Sequence, residues 1–114
     1  MADRYRTLRL AITIGAAILL GGTPALAADE AKLTIRNQRF EPAELQIPAG
    51  KKIKLIVRNE DKTAEEFESF DLNREKVIPG GTEAVVYVGP LKPGTYKFFG
   101  EFHPETAQGT LIVK

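Results

Sequence analysis

The stretch Lys51-Lys52-Ile53-Lys54-Leu55-Ile56-Val57-Arg58 decides the fold class. Its apolar residues at 53, 55 and 57 alternate with charges at 52, 54 and 58. That period of two is the signature of a strand with one face in a core and one in water. Toward the N-terminus, Leu33 and Ile35 alternate with Lys32, Thr34 and Arg36, with Asn37 a candidate to extend the series. Toward the C-terminus, Val85-Val86-Tyr87-Val88 runs up to Gly89-Pro90. Tyr96-Lys97-Phe98-Phe99 follows the turn Lys92-Pro93-Gly94, and Thr110-Leu111-Ile112-Val113 comes last. Prolines and glycines at 48–50, 79–81, 89–90 and 93–94 mark where strands end and turns begin. No segment of useful length carries a helical period. Thr63 to Glu68 fits a single helical turn, while Phe67 and Phe70 fit a buried strand equally well. The pattern predicts an all-β chain of seven or eight short strands, roughly ten residues apart, folded as an antiparallel β-sandwich.

The first 27 residues read differently. Arg4, Arg6 and Arg9 precede an uncharged apolar run from Leu10 to Leu20, which Gly21, Gly22 and Pro24 break. Ala25-Leu26-Ala27 then offers the small-x-small pattern of a signal-peptidase site, with cleavage after Ala27 or Ala28. The run is short of the ~20 apolar residues that span a bilayer, and the arginines are not adjacent as a twin-arginine signal requires. The expectation is a secretory signal over 1–27 and one domain over 28–114, free in the periplasm with no membrane anchor.

Composition then narrows the chemistry. Removing Arg4, Arg6, Arg9 and Asp3 from the 16 basic and 15 acidic residues leaves 13 and 14. A nearly neutral domain of this size carries no electrostatic argument for nucleic acid or a membrane surface. Zero cysteine excludes disulfides, thiol catalysis, iron–sulfur clusters and thiolate copper. Beyond the signal, Ser69 is the only serine and His103 the only histidine. Nothing around Ser69 resembles a nucleophile elbow, and Pro79-Gly80-Gly81 is a turn rather than a phosphate loop.

What remains is metal-ligand chemistry in two segments, Glu65-Glu66-Phe67-Glu68 and Glu101-Phe102-His103-Pro104-Glu105. Residues two apart on a strand share a face, so Glu66 and Glu68 can converge, as can Glu101 and His103. Carboxylate oxygens with one imidazole suit iron or manganese, and can hold copper(II) or zinc. The plainer reading is a solvated acidic edge that resists aggregation, beside a histidine satisfied by polar neighbours.

The stretch from Leu91-Lys92-Pro93-Gly94-Thr95-Tyr96 through Phe99-Gly100-Glu101-Phe102-His103, continued by Gln108-Gly109-Thr110-Leu111-Ile112-Val113, resembles the last two strands of a cupredoxin. Phe40-Glu41-Pro42, Ile47-Pro48-Ala49-Gly50 and Val57-Arg58-Asn59 resemble that family's opening strands. The resemblance implies a Greek-key sandwich. It places Gly100 at the copper cysteine, His103 at the following copper histidine and Gln108 at the axial ligand. Glu65, or Glu66 with a slipped register, stands for the first copper histidine ahead of Phe67. With no thiolate, type 1 copper and blue-copper electron transfer are excluded.

Glu65-Glu66-Phe67-Glu68-Ser69 together with Glu101-Phe102-His103-Pro104 is similar to a subgroup of small exported cupredoxins. These are related to the N-terminal domain of bacterial periplasmic iron-uptake proteins. That similarity implies a metal-binding component of ferrous-iron uptake, with iron or copper ion as ligand. It further implies a membrane iron permease and a periplasmic iron-binding protein as partners, and an accessory ferroxidase role is left open. The candidate ligands are Glu65, Glu66, Glu68, Glu101 and His103, with Glu105 as an outer contributor and three or four expected to bind at once. Two alternatives stay open: a metal-free interaction module, for which Phe99 and Phe102 are exposed-patch candidates, and a copper(II) carrier.

Overall fold

A computed structural model describes residues 29–114; the expected signal segment lies outside them. Within the described residues there are nine strands and no helix. They are β1 (Glu30–Arg36), β2 (Arg39–Glu41), β3 (Glu44–Ile47), β4 (Ile53–Asn59), β5 (Glu65–Ser69), β6 (Arg74–Ile78), β7 (Glu83–Val88), β8 (Gly94–Gly100) and β9 (Gln108–Val113). One sheet has the order β2-β1-β4-β7 and the other β3-β9-β8-β5-β6.

The all-β sandwich expected from the alternation is the fold found, with more strands and two departures from antiparallel pairing. β1 runs parallel to β4, and β3 parallel to β9. The reason is connectivity: after β1 and its hairpin partner β2, the chain crosses to the other sheet as β3 and returns to lie beside β1 as β4. Side-chain alternation is the same in both directions of pairing, so period alone does not distinguish them.

Asn37 does not extend β1. It forms the two-residue hairpin loop with Gln38, both at positive φ (52° and 58°), as a primed turn between twisted strands requires. The Asp61 carboxylate holds this loop, accepting from the amides of Asn37 and Gln38 at 2.7 and 2.8 Å.

The core lies between the sheets. Ile53, Leu55 and Val57 are all buried, as their alternation demands, and face Phe67, Ile78, Phe98, Leu111 and Val113 from the other layer. Phe40, Phe67 and Phe98 form the aromatic centre, with ring centroids 5.0 to 6.1 Å apart. Each such pair adds about 0.5–1.5 kcal/mol beyond the area it buries. Phe70 does not share Phe67's environment: β5 ends at Ser69, the turn carries Phe70 outward, and it is 77% exposed. Thr63 to Glu68 is therefore the entry into a strand and not a helical turn.

Two buried polar side chains set the ends of β5. Asn59 donates to the carbonyls of Thr63 and Ile78, both at 2.9 Å, and accepts from the Asp61 amide at 2.9 Å. It fixes the loop that delivers Glu65. At the far end, the Ser69 hydroxyl donates to the Lys97 carbonyl at 2.6 Å and accepts from the Leu72 amide at 3.1 Å.

Candidate metal centre

β5 carries three of the five expected ligands, and its alternation sends them to opposite sides. Glu65, Phe67 and Ser69 are buried, whereas Glu66 and Glu68 are half-buried on the outer face of the five-stranded sheet. The expected convergence of Glu66 and Glu68 is present on that face. The same alternation that joins them separates Glu65 from both.

The outer face gathers more carboxylates than the chain order suggests. β5 pairs antiparallel with β6 so that Glu68 lies opposite Glu75. One oxygen from each of Glu66, Glu68 and Glu75 lies within 4.8 Å of the others. On the other flank, β8 places Phe99 opposite Glu68, and the Glu101 amide donates to the Glu66 carbonyl at 2.9 Å. Partial burial, a hydrogen bond with Glu75 and the charges of Glu75, Glu68 and Glu101 raise the Glu66 pKa above the ordinary glutamate value. Glu68 is raised by partial burial, then by the charges of Glu75 and Glu101. Like charges directly across a sheet are destabilising, so this arrangement costs the metal-free protein stability that a bound cation would return. Glu75 was missed by sequence reading. Only the β5–β6 register brings it in, and Asp71-Leu72-Asn73-Arg74 was the turn that could have announced the hairpin.

Glu65 and His103 meet on the inner side. Glu65 Oε1 accepts from the amides of Glu66 (3.0 Å) and Phe102 (2.9 Å), and Oε2 lies 2.7 Å from His103 Nδ1. Glu65 is 1% exposed. Its carboxyl group is thus engaged by hydrogen bonds, as a buried polar group must be. Glu101 and His103 do not converge as strand neighbours, because β8 ends at Gly100 and the following residues form turns. Glu101 lies with the outer carboxylates and His103 with Glu65. Glu105 is exposed in the same turn region. Ser69, engaged with two backbone groups, serves the fold.

The sequence matches the family described as Cupredoxin-like domain over residues 9–113. An uncharacterized protein of Rickettsia prowazekii (strain Madrid E) is 48% identical over 84 residues, which cover 74% of this chain and 67% of that protein. Among solved structures, the chain is similar to a purple cupredoxin from Nitrosopumilus maritimus, with TM-score 0.59, 22% identity, and coverage of 74% of this chain and 99% of the other. It is also similar to auracyanin A, a "blue" copper protein from Chloroflexus aurantiacus, with TM-score 0.64, 14% identity and coverage of 75% and 98%. The metal-binding domain of the Cu(I)-exporting P-type ATPase CopA from Streptococcus pneumoniae D39 gives TM-score 0.63 at 15% identity, with coverage of 75% and 84%. At these identities the structural likenesses speak for the fold. Its two-sheet topology and its match along almost the whole sequence place this chain in the cupredoxin-like domain family.

Proposed function

We propose that this chain is a periplasmic metal-binding protein of a ferrous-iron uptake route, and that it captures Fe²⁺ for a membrane iron permease. The observation that carries the reading is the group Glu66, Glu68 and Glu75, whose oxygens come within 4.8 Å of one another, with Glu101 beside it. Oxygen donors suit hard cations, and anionic ones stabilise Fe³⁺ more than Fe²⁺. The bound iron is cargo in this reading. Oxidising it would pass one electron per ion to an acceptor outside this chain. Copper(II) is the competing ion for the same donors. The signal-like segment supports export, and the similarity to iron-uptake proteins supports the permease as partner.

Anaerobic calorimetric titration of residues 28–114 with Fe²⁺, and separately with Cu²⁺ and Zn²⁺, tests this. A 1:1 isotherm of micromolar or tighter affinity, weakened tenfold or more in Glu66→Ala and in Glu75→Ala, is the expected result. Absence of heat and of any thermal shift with all three ions would reject the metal reading.

One observation favours a second reading, docking of another protein. Phe70, 77% exposed, packs edge-on against Phe99 at 5.5 Å. Phe99 also lines a shallow groove of about 560 Å³ with Glu44, Lys97, Pro104, Gln108 and Thr110. Phe70→Ser would leave metal binding intact and abolish such docking.

A further inference from the structure

Type 1 copper, the ion this fold suggests, does not fit the residues present. Such a centre needs a cysteine thiolate, two imidazoles and a weak axial donor. The corresponding positions here are Gly100, Glu65, His103 and Gln108. Gly100 offers no ligand, and no space for one. A Cβ built there would lie 2.6 Å from Glu65 Cδ, 2.8 Å from Glu65 Oε2 and 2.6 Å from the Ala107 methyl. The Glu65 carboxylate thus occupies the room into which a cysteine side chain would project. Gln108 is exposed, and its Nε2 donates to the Pro104 carbonyl at 3.0 Å, so it is engaged within its own turn.

We infer that the Glu65–His103 contact has taken the structural place of the copper ion, tying the turn 101–107 to β5 and closing that end of the sandwich to metal. A copper ion would join the first-histidine position, the end of β8 and the following turn through bonds to one centre. Here one carboxylate joins the same three segments. It belongs to β5, packs against Gly100, accepts from the Phe102 amide and meets His103 Nδ1 at 2.7 Å, both from the turn. Backbone bonds complete the turn: Gly100 N to Ala107 O at 2.7 Å, and Ala107 N to His103 O at 2.9 Å. Thr106 Oγ1 reaches across to the Gln38 carbonyl at 2.6 Å. Both carboxylate oxygens of Glu65 are engaged by protein groups. The ion would have to displace a short contact between two partners that already satisfy each other.

The test follows His103, whose ring signals are unambiguous because it is the only histidine. Residues 28–114 contain every strand and the whole core described above, so this domain is the sample. One equivalent of Zn²⁺ should leave the His103 ring ¹⁵N and ¹H resonances in place. In Glu65→Ala the Phe102 amide should exchange with solvent roughly tenfold faster or more, and the ring should become responsive to Zn²⁺. Movement of the ring signals by Zn²⁺ in the parent, or unchanged Phe102 protection in Glu65→Ala, would overturn the inference.

A reconstructed centre asks the same question without relying on that variant's folding. With Ala107→Gly in every variant to clear the third contact, the pair Glu65→His with Gly100→Cys should bind one Cu²⁺ and develop an intense visible thiolate-to-copper absorption. Gly100→Cys alone, with Glu65 still in the slot, should not. Equal bands in both, or none in the pair, would refute the correspondence. These readouts do not depend on Fe²⁺ capture by the outer carboxylates, so the iron reading and this one can fail separately.

Discussion

Gly100→Ala is the smallest change that interrogates the filled centre. The backbone at Gly100 lies outside the left-handed region, so an alanine there tests space and not conformation. Its methyl would meet Glu65 Cδ and the Ala107 methyl at 2.6 Å each and Glu65 Oε2 at 2.8 Å. Carbon contacts are favourable near 3.5–4.0 Å, so each neighbour would have to retreat by nearly an ångström. Ala107 is itself fully buried and has nowhere to go. Overpacking of this kind costs about 1–3 kcal/mol. Displacing Glu65 would also stretch its 2.7 Å contact with His103, and a hydrogen bond to a charged group is worth about 1.5–3 kcal/mol. Allowing for partial relaxation, the expected loss is about 2–4 kcal/mol, or roughly 10–30 °C in Tm for a domain of this size. Urea unfolding should show a lower midpoint with an unchanged slope. Removing the Glu65 carboxylate clears two of the three clashes, so a cycle of Gly100→Ala with Glu65→Ala should be sub-additive by about 1–2 kcal/mol. A Gly100→Ala protein within ~0.5 kcal/mol of the parent, or a strictly additive cycle, would refute the reasoning.

Other perturbations separate core, loop and outer face. Phe98→Ala should cost about 3–5 kcal/mol, since it empties one side of the Phe40–Phe67–Phe98 cluster. Tyr96→Phe should cost only ~1 kcal/mol, because it removes a single hydrogen bond to the Lys92 carbonyl; comparable losses in the two urea curves would count against this description of the core. Asn59→Ala strips the Thr63 and Ile78 carbonyls and the Asp61 amide of their partner. It should cost about 2–4 kcal/mol, and amide exchange should rise first in the loop 60–64. The outer carboxylates have a pH signature. Glu66 and Glu68 keep their protons to a higher pH folded than unfolded. The folded state therefore binds more protons across that interval, and their contribution to stability is lost as pH rises through the raised values. Metal-free Glu68→Gln should gain Tm over the parent at neutral pH, and the gap should shrink as pH falls. A gap that widens on acidification would contradict the cluster's electrostatics. Protons and metal compete for the same oxygens, so Fe²⁺ affinity should weaken over the same fall in pH.

The division between what was legible in the chain and what was not follows from range. Period-two alternation is a local property. Ile53, Leu55 and Val57 therefore announced a strand and its buried face, and proline and glycine at 48–50, 79–81 and 89–90 announced its neighbours' ends. Composition is local too: without cysteine, thiolate copper was excluded before any fold was known. The motif spacing around Gly94, Tyr96 and His103 was sufficient to point to the family.

Tertiary structure decided everything that depends on which strands meet. Alternation states that Glu65 and Glu66 face opposite ways, but the burial of Phe67 in an inter-sheet core is what sends Glu65 inward and Glu66 out. Glu75 joins Glu68 through a hairpin register that fewer than ten intervening residues leave undetermined. Parallel pairing of β1 with β4 carries the same side-chain pattern as antiparallel pairing and is set by a crossover between sheets. The slot beside Gly100 exists only because β5, the end of β8 and Ala107 come together. Apart from the β5–β6 hairpin, hydrogen bonds and close packing between residues distant in the chain hold these arrangements, and no short window of sequence contains both partners.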